Sequence, residues 1–482
     1  MKINYLSILL LCGMVLFSCK PPNPPPEDDP KEEDKDTTKT EYSSDYLFDI
    51  QQLSEIRLDV ELADWNNFLN YFDQNPHNEE CIPAKFTYKK GEDVFVLDKV
   101  GVRLRGNTSR RRPEGSTGQP HNAQNPDWHH CHFSVKFGEY NKNALFCEND
   151  RITLKWHKDD GAYCREVYCY DLFRRFGVYT APRVAYTRLT INVKGDSKPA
   201  YFGVYALIEG VNDSYVANRK KSGHFISHSG NLWKANWSAN LSPSTMTDNN
   251  IGVEVVTLNP AETYKPIYDL KTNKKQLDFA RNQLKRFVND MNPLPSGSTE
   301  LKNYLEKWVD IDLFLRAYAV NVIVGMWDDY WCNTNNYYFY FDGDGKFYFI
   351  PYDYDNTLGT SMLMNNSGTQ NMLEWGDLSG NRMLMRKIMS IPEYKEKYKS
   401  YIKELAQSDE LFKTEGSIAR IRGWHSMISP YISNDTGEDM KIIDVPAGWG
   451  NCHFYRIFTG NENGGTNGDA NFFKTKIKSI HF

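Results

Sequence analysis

Residues 308–359 read WVDIDLFLRAYAVNVIVGMWDDYWCNTNNYYFYFDGDGKFYFIPYDYDNTLG. The first part predicts a helix. Asp310 is its N-cap, and Asp312 sits in the first turn, where the helix dipole favours a carboxylate. Leu313, Phe314, Ala317, Val320 and Val324 with their neighbours are apolar nearly all round, so the helix is expected to be buried. It stops just before Asp328 and Asp329. Two strands follow, NNYYFYF and KFYFIPY, joined by Asp342-Gly-Asp-Gly345, which is turn chemistry between aromatic runs and predicts a hairpin. Pro351 ends the second strand beside Asp353 and Asp355. A hairpin returns the chain to its start, so the two acid pairs are expected to lie close together. Carboxylates gathered at the ends of apolar elements repel one another and lose hydration, which a bound cation offsets. A calcium loop of the EF-hand type starting at Asp342 is excluded, because Lys346 and Phe347 stand where a ligand and a glycine belong.

The same stretch resembles the signature of the CotH kinase family, atypical protein kinases named after a spore-coat protein. That pattern is an apolar helix, a catalytic Asp, an Asn-Tyr-aromatic strand, and a hairpin ending in Pro-aromatic-Asp-aromatic-Asp. Here it is Asp328, Asn336-Tyr337-Tyr338-Phe339-Tyr340 and Pro351-Tyr352-Asp353-Tyr354-Asp355. The run between the acid and the Asn-Tyr strand is two or three residues longer than is usual in the family, so either Asp328 or Asp329 is the catalytic residue. The resemblance implies Mg²⁺ on Asp353, with Asp355 and Asn333 or Asn336 as further ligands.

Upstream, a strand enters Arg103-Leu-Arg105-Gly106-Asn107-Thr-Ser109-Arg110-Arg-Arg112, a turn rich in small donors and followed by arginines. Backbone amides and such side chains suit phosphate, although a basic surface loop has the same composition. The family carries Arg-x-Arg-Gly-Asn-x-Ser here, which implies that Arg105, Gly106, Asn107 and Ser109 hold nucleotide phosphates. Lys136, in the strand HFSVK, and Lys234, in Asn231-Leu-Trp-Lys-Ala235, are rival phosphate-neutralising lysines. Tyr201, Gly203, Tyr205 and Glu209 match a further family pattern, and Glu209 is the expected acidic partner of that lysine. Asp160 and Arg165 match another and are expected to organise their lobe. His129, His130 and His132 are read as a loop, since no second ligand cluster stands near them in sequence.

The N-terminus, MKINYLSILLLCGMVLFSCK, joins a lysine and a short apolar run to Leu16-Phe-Ser-Cys19. This predicts a secretory signal over residues 1–18 with a bacterial lipobox, and lipidation at Cys19. Residues 19–44 are proline, acid and lysine without hydrophobes, a stiff tether that cannot form a core. The expected address is therefore the cell envelope, lipid-anchored to a bacterial membrane, at the outer membrane or cell surface, with the lipid as the sole membrane contact. The remainder, 45–482, has the apolar and aromatic content for a large core; the whole chain is 40% hydrophobic. The resemblance implies a two-lobed α+β domain, a smaller lobe over about 45–235 and a larger one over about 250–482 with a helical C-terminal part. The formal net charge of −5 gives no basic excess to suggest nucleic acid. Nine cysteines without CxxC or Cys/His spacing give no structural zinc site, and the seven beyond the signal leave at least one unpaired.

These readings converge on a protein Ser/Thr kinase using ATP and Mg²⁺. Two others remain open: a non-catalytic surface-binding or adhesion module of the same fold, and a metal-dependent phosphodiesterase or glycan-active enzyme using the same acids.

Overall fold

In the computed structural model the residues described are 42–158, 160–361, 363–364, 367–376, 382–432, 457 and 472–482. The signal, Cys19 and nearly all of the tether lie outside them. Within the described residues no helix is long and apolar enough to cross a membrane.

The architecture is mixed α+β, as expected, but its first part is a barrel that the sequence did not announce. Its strands are β1 (Ser54–Val60), β2 (Ile82–Lys90), β3 (Asp93–Arg105), β4 (His132–Lys136), β5 (Arg151–Lys155), β6 (Val184–Val193) and β7 (Ala200–Glu209). They close in the order β1-β2-β3-β4-β5-β7-β6. Neighbours pair antiparallel except β1 and β6, which run parallel from Ser54 opposite Thr187 to Val60 opposite Val193. Alternate residues such as Ile56, Leu58 and Val60 of β1, or Ala84, Phe86 and Tyr88 of β2, are buried, the period-2 pattern of a sheet with one packed face. β3 is long enough to serve two neighbours. Asp93 to Val102 pair with β2, with a register shift between Ala84 and Phe86, and Gly101 to Arg105 pair with β4. The shift bends the ladder and lets β3 carry Arg105 to the barrel rim. The helix Leu62–Gln74 packs its Trp65 and Phe68 onto the barrel, with the Phe68 ring 6.4 Å from that of Phe133.

The second sheet has β8 (Asn231–Ala235), β9 (Ile251–Gly252), β10 (Tyr268–Leu270), β11 (Tyr337–Phe341) and β12 (Phe347–Pro351), in the order β12-β11-β8-β10-β9. The predicted hairpin is β11–β12, from Tyr337 opposite Pro351 to Phe341 opposite Phe347. Asp342 closes its turn by accepting from the backbone of Asp344 and Lys346 at 3.0 and 3.1 Å. The predicted helix is Ile311–Ile323, capped by Asp310, whose carboxylate accepts from the Leu313 backbone at 3.0 Å. Phe314 and Tyr318 lay their rings on Phe349 at 5.6 and 5.2 Å. That explains why every residue of β12 is buried rather than alternate ones.

The helix after β5 is Arg165–Arg175, preceded by Tyr163 at φ +56°. Two helices, Leu277–Met291 and Thr299–Trp308, lead into the capped helix. Among the described residues the C-terminal part carries the helices Met383–Met389, Pro392–Gln407 and Thr414–Ile428. Among the described cysteines, Cys81, Cys169 and Cys332 are free thiols.

Candidate active site

The site is assembled where the end of β5, the helix after it, the rim of β3 and the exit of β12 meet. Its centre is Lys155, the last residue of β5. The ammonium contacts Glu166 at 2.7 Å, Asp355 at 3.1 Å and, more closely still, Asp353. Lys155 and Glu166 are buried, and Asp353 keeps 36% of its side-chain surface exposed. Burial alone disfavours the lysine charge, yet Asp353, Asp355 and Glu166 hold its pKa well above the ordinary value. Burial likewise opposes the charge on Asp353, which Lys155, then Arg105 and His132, keep ionised below the usual carboxylate range. Glu166 moves the other way: burial raises it, Lys155 offsets part of that, and the neighbouring charge of Asp353 adds to it.

Sequence reasoning placed the phosphate-neutralising lysine at position 136 or 234 with Glu209 as its acid, and the structure pairs Glu209 with arginines rather than with either lysine. Lys136 pairs with Glu139 at 3.1 Å. Lys234 stands on β8 opposite Tyr338, one strand from the hairpin. Glu209 accepts from Arg219 at 2.7 and 2.9 Å and from Arg183 at 2.9 Å, an all-arginine arrangement. The pair Lys155–Glu166 also had a signal in the sequence. Lys155 ends a strand and Glu166 opens the following helix, the same strand-then-helix order as the Lys–Glu pair of ordinary kinases.

The acid pair at 328 and 329 divides by environment. Asp328 is half-buried and accepts from the side chains of Asn333 at 2.6 Å, Asn336 at 2.8 Å and Asn335 at 3.3 Å. Burial raises its pKa, the Asn333 bond lowers it, and the charge of Asp353 raises it again. Asp329 is buried and turned inward. It accepts from the Cys332 backbone at 2.9 Å and from Asn321 at 2.8 Å, and burial pushes its pKa up to about 6. Its backbone carbonyl also accepts from the amides of Asn333 and Asn335 at 3.1 Å, so it shapes the loop that presents the asparagines. Asn333 and Asn336, expected to be metal ligands, point their amides at Asp328.

At the rim of β3 the Arg105 guanidinium donates to the Tyr352 hydroxyl, one residue from Asp353. Gly106 has φ +110°, and a Cβ there would lie 2.6 Å from Ser109 Oγ, so the turn requires glycine. Arg110 closes it, donating to the Gly106 carbonyl at 2.8 Å and pairing with Glu79 at 3.1 Å. Arg112 pairs with Asp73 at 2.8 Å. Arg110 and Arg112, which follow the turn, are therefore bound to acids, and Arg105 stands with the exposed Asn107 and the half-exposed Ser109. The histidines do separate work. His129 Nδ1 lies 2.9 Å from the Arg112 carbonyl, His130 Nε2 lies 2.8 Å from that of Phe202, and His132 Nδ1 accepts from the Trp156 backbone at 3.0 Å. Asp160 and Arg165 pair at 2.7 Å, and Arg165 reaches the Thr357 carbonyl at 2.9 Å, tying the helix to the loop after Asp355.

No group of three or more His, Cys, Asp or Glu residues among those described forms a metal cage. Asp353 and Asp355 do share one cationic group, the Lys155 ammonium, so they have the charge and spacing to face a small cation. Two carboxylates completed by substrate oxygens are the usual donor set for Mg²⁺.

Comparison with known proteins identifies the class. The family described as CotH kinase protein matches residues 102–446, which is most of the chain and includes every residue of this site. The chain belongs to that family. Its curated relatives are distant. It is 21% identical to Invasin CotH3 of Rhizopus delemar over 61% of this chain and 46% of that protein. It is 22% identical to Invasin CotH2 of the same fungus over 62% and 48%. Spore coat protein homolog 1, also from that fungus, is 24% identical over 30% and 24%. The chain thus spans less than half the length of each of these relatives.

Proposed function

We propose that the protein is an ATP- and Mg²⁺-dependent protein kinase, two-lobed in the kinase sense, transferring the γ-phosphoryl group to a Ser or Thr hydroxyl. The observation that carries this is the Lys155 ammonium, held between Glu166 of the next helix and the acids at the exit of the hairpin. Phosphoryl transfer asks the protein for little covalent chemistry and much positioning and charge neutralisation. Asp353 and Asp355, with Asn333 or Asn336, would hold Mg²⁺, which neutralises phosphate charge when bound. Lys155, oriented by Glu166, turns its ammonium to the phosphates. Arg105, with the Gly106, Asn107 and Ser109 turn, lines their other side, and Lys234 is kept as the rival lysine for the same role. Asp328 orients the acceptor hydroxyl and takes its proton as the new P–O bond forms and the bond to the ADP oxygen breaks. Its raised pKa, next to Asp353, makes it a better proton acceptor than an exposed aspartate.

The test is calorimetric titration with an ATP analogue, with and without Mg²⁺, beside a labelled-phosphate transfer assay. Mg²⁺-dependent binding and label on protein are expected. Wild-type protein that binds no nucleotide under any metal condition sinks this reading, and hydrolysis without transfer favours the phosphodiesterase or glycan-active class. A second reading, a surface-binding module, is favoured by the relatives named invasins. The proposed address is the cell envelope, through lipid on Cys19. Cys19→Ala is expected to move the protein from the membrane to the soluble fraction with its fold intact.

A further inference from the structure

Asp353 has φ +65°, a left-handed backbone that a residue other than glycine adopts only when its surroundings hold it there. What holds it is visible. Its backbone N–H donates to the Tyr170 hydroxyl at 2.9 Å, and Tyr170 is fully buried. Tyr170 follows Glu166 by four residues on the helix Arg165–Arg175, so the two side chains leave the same face. That face grips Asp353 twice: at its amide through Tyr170, and at its carboxylate through Glu166 and Lys155. The neighbouring positions grip the far end of the same loop. Arg165 reaches the Thr357 carbonyl at 2.9 Å, and Cys169 Sγ lies 3.3 Å from Thr357 Oγ1.

We infer that Tyr170 is a positioning residue that fixes Asp353 in its left-handed conformation, so that the helix Arg165–Arg175 and the loop from Asp353 to Thr357 move as one body. In ordinary kinases the corresponding acid and helix are separately placed and must be brought together. Here they are bonded directly, backbone to side chain. The consequence for transfer rests on the kinase reading, whereas the mechanical claim stands without it.

Tyr170→Phe in the full chain keeps the ring and removes the oxygen. Hydrogen exchange on the metal-free, nucleotide-free protein is the first readout. The Asp353 amide is expected to exchange about tenfold faster in the variant, with the amides of the helix Arg165–Arg175 unchanged. The second readout is the Mg²⁺ concentration that half-saturates nucleotide binding. It is expected to rise about tenfold, with metal-free nucleotide affinity the same. A uniform loss of thermal stability, with the exchange of Asp353 and the Mg²⁺ requirement unchanged, overturns the proposal and leaves Tyr170 as core filling. Should the variant not fold, wild-type exchange decides: an Asp353 amide as fast as free peptide overturns it, and a protected one upholds it. Absence of nucleotide binding in wild type removes the kinase reading but leaves the exchange result to judge Tyr170.

Discussion

The buried ion cluster around Lys155 and the one around Glu209 use the same kinds of group in opposite proportion. Glu209 is one carboxylate facing two arginines, and both its oxygens are met. Arg219 spends its remaining donors on the carbonyls of Tyr179 at 2.8 Å and Ala181 at 3.0 Å. Burial opposes the Glu209 charge, but Arg219 and Arg183 hold its pKa down to about 2. Nothing in that cluster asks for a further ion. Lys155 is one ammonium facing three carboxylates, and Asp353 is part-exposed to solvent. A buried pair that is complete belongs to the scaffold, whereas an acid excess open on one side has capacity for a cation. Sequence patterns put Glu209 in the site; the saturation of its partners takes it out.

The largest effect expected tests that contrast. Lys155→Met leaves three carboxylates without their cation, and Arg219→Met leaves Glu209 with one. Each breaks a buried pair, at a cost of about 3–5 kcal/mol. Thermal melts with added Mg²⁺ separate them: the Lys155 variant should recover part of its lost stability, and the Arg219 variant none. Equal responses to Mg²⁺ would erase the distinction between the two clusters.

Next comes Asp353→Asn, which keeps size and removes a charge. Nucleotide binding should become insensitive to Mg²⁺ and transfer should be lost, with a melting temperature lowered less than in Lys155→Met, since Lys155 keeps Glu166 and Asp355 as partners. A variant that still binds nucleotide in a Mg²⁺-dependent way would move the metal away from this loop.

The hairpin, its capped helix and the convergence of Asp328 with Asp353 were legible because each rests on local pattern: an N-cap, an Asp-Gly turn, and apolar runs that end in acids. Lys155 was not, because RITLK reads as any half-polar strand. Its burial comes from Glu166 and from acids some 200 positions away. Barrel closure was equally hidden. It depends on β1 meeting β6, so that Glu55 pairs with Arg188 across 133 positions, and no local period reports such a contact. Asp328 and Asp329 could not be told apart in sequence because neighbours face opposite ways only once the loop has folded around the Asp329 carbonyl.

That last pair gives the third prediction. Asp328→Asn should slow transfer by on the order of 10²–10⁴-fold and leave Mg²⁺-dependent nucleotide binding intact. Asp329→Asn should act mainly on stability and its pH dependence. The folded Asp329 pKa of about 6 stands above the ordinary 3.8, so between those values the native state holds the extra proton. Stability then falls as pH rises from about 4 to about 6, by up to about 3 kcal/mol. Melts across that range should show the fall in wild type and a flatter line in the variant. The opposite result, transfer lost in Asp329→Asn and kept in Asp328→Asn, would shift the catalytic position by one.

The smallest effect concerns a third cluster, His121 between Glu114 and Asp196. Its Nδ1 lies 2.8 Å from Glu114 and its Nε2 2.7 Å from Asp196. A neutral imidazole has one N–H and can satisfy one carboxylate; only the imidazolium donates to both. Burial works against that charge, but the bonds to Glu114 and Asp196 raise the pKa above its usual 6.5. The native state therefore holds a proton that the unfolded chain releases near pH 6.5. The added stability is fully present below that pH and is lost as pH rises through the higher folded value. Like Glu209, this is a cluster whose partners are all met, so it should belong to the scaffold. His121→Gln is expected to flatten the melting temperature between pH 6 and 8, leaving nucleotide binding and its Mg²⁺ dependence as in wild type. A variant that lost Mg²⁺-dependent binding while keeping its melting temperature would mean that a saturated ion cluster can still report to the site, and the contrast between the Lys155 and Glu209 clusters would no longer separate chemistry from scaffold.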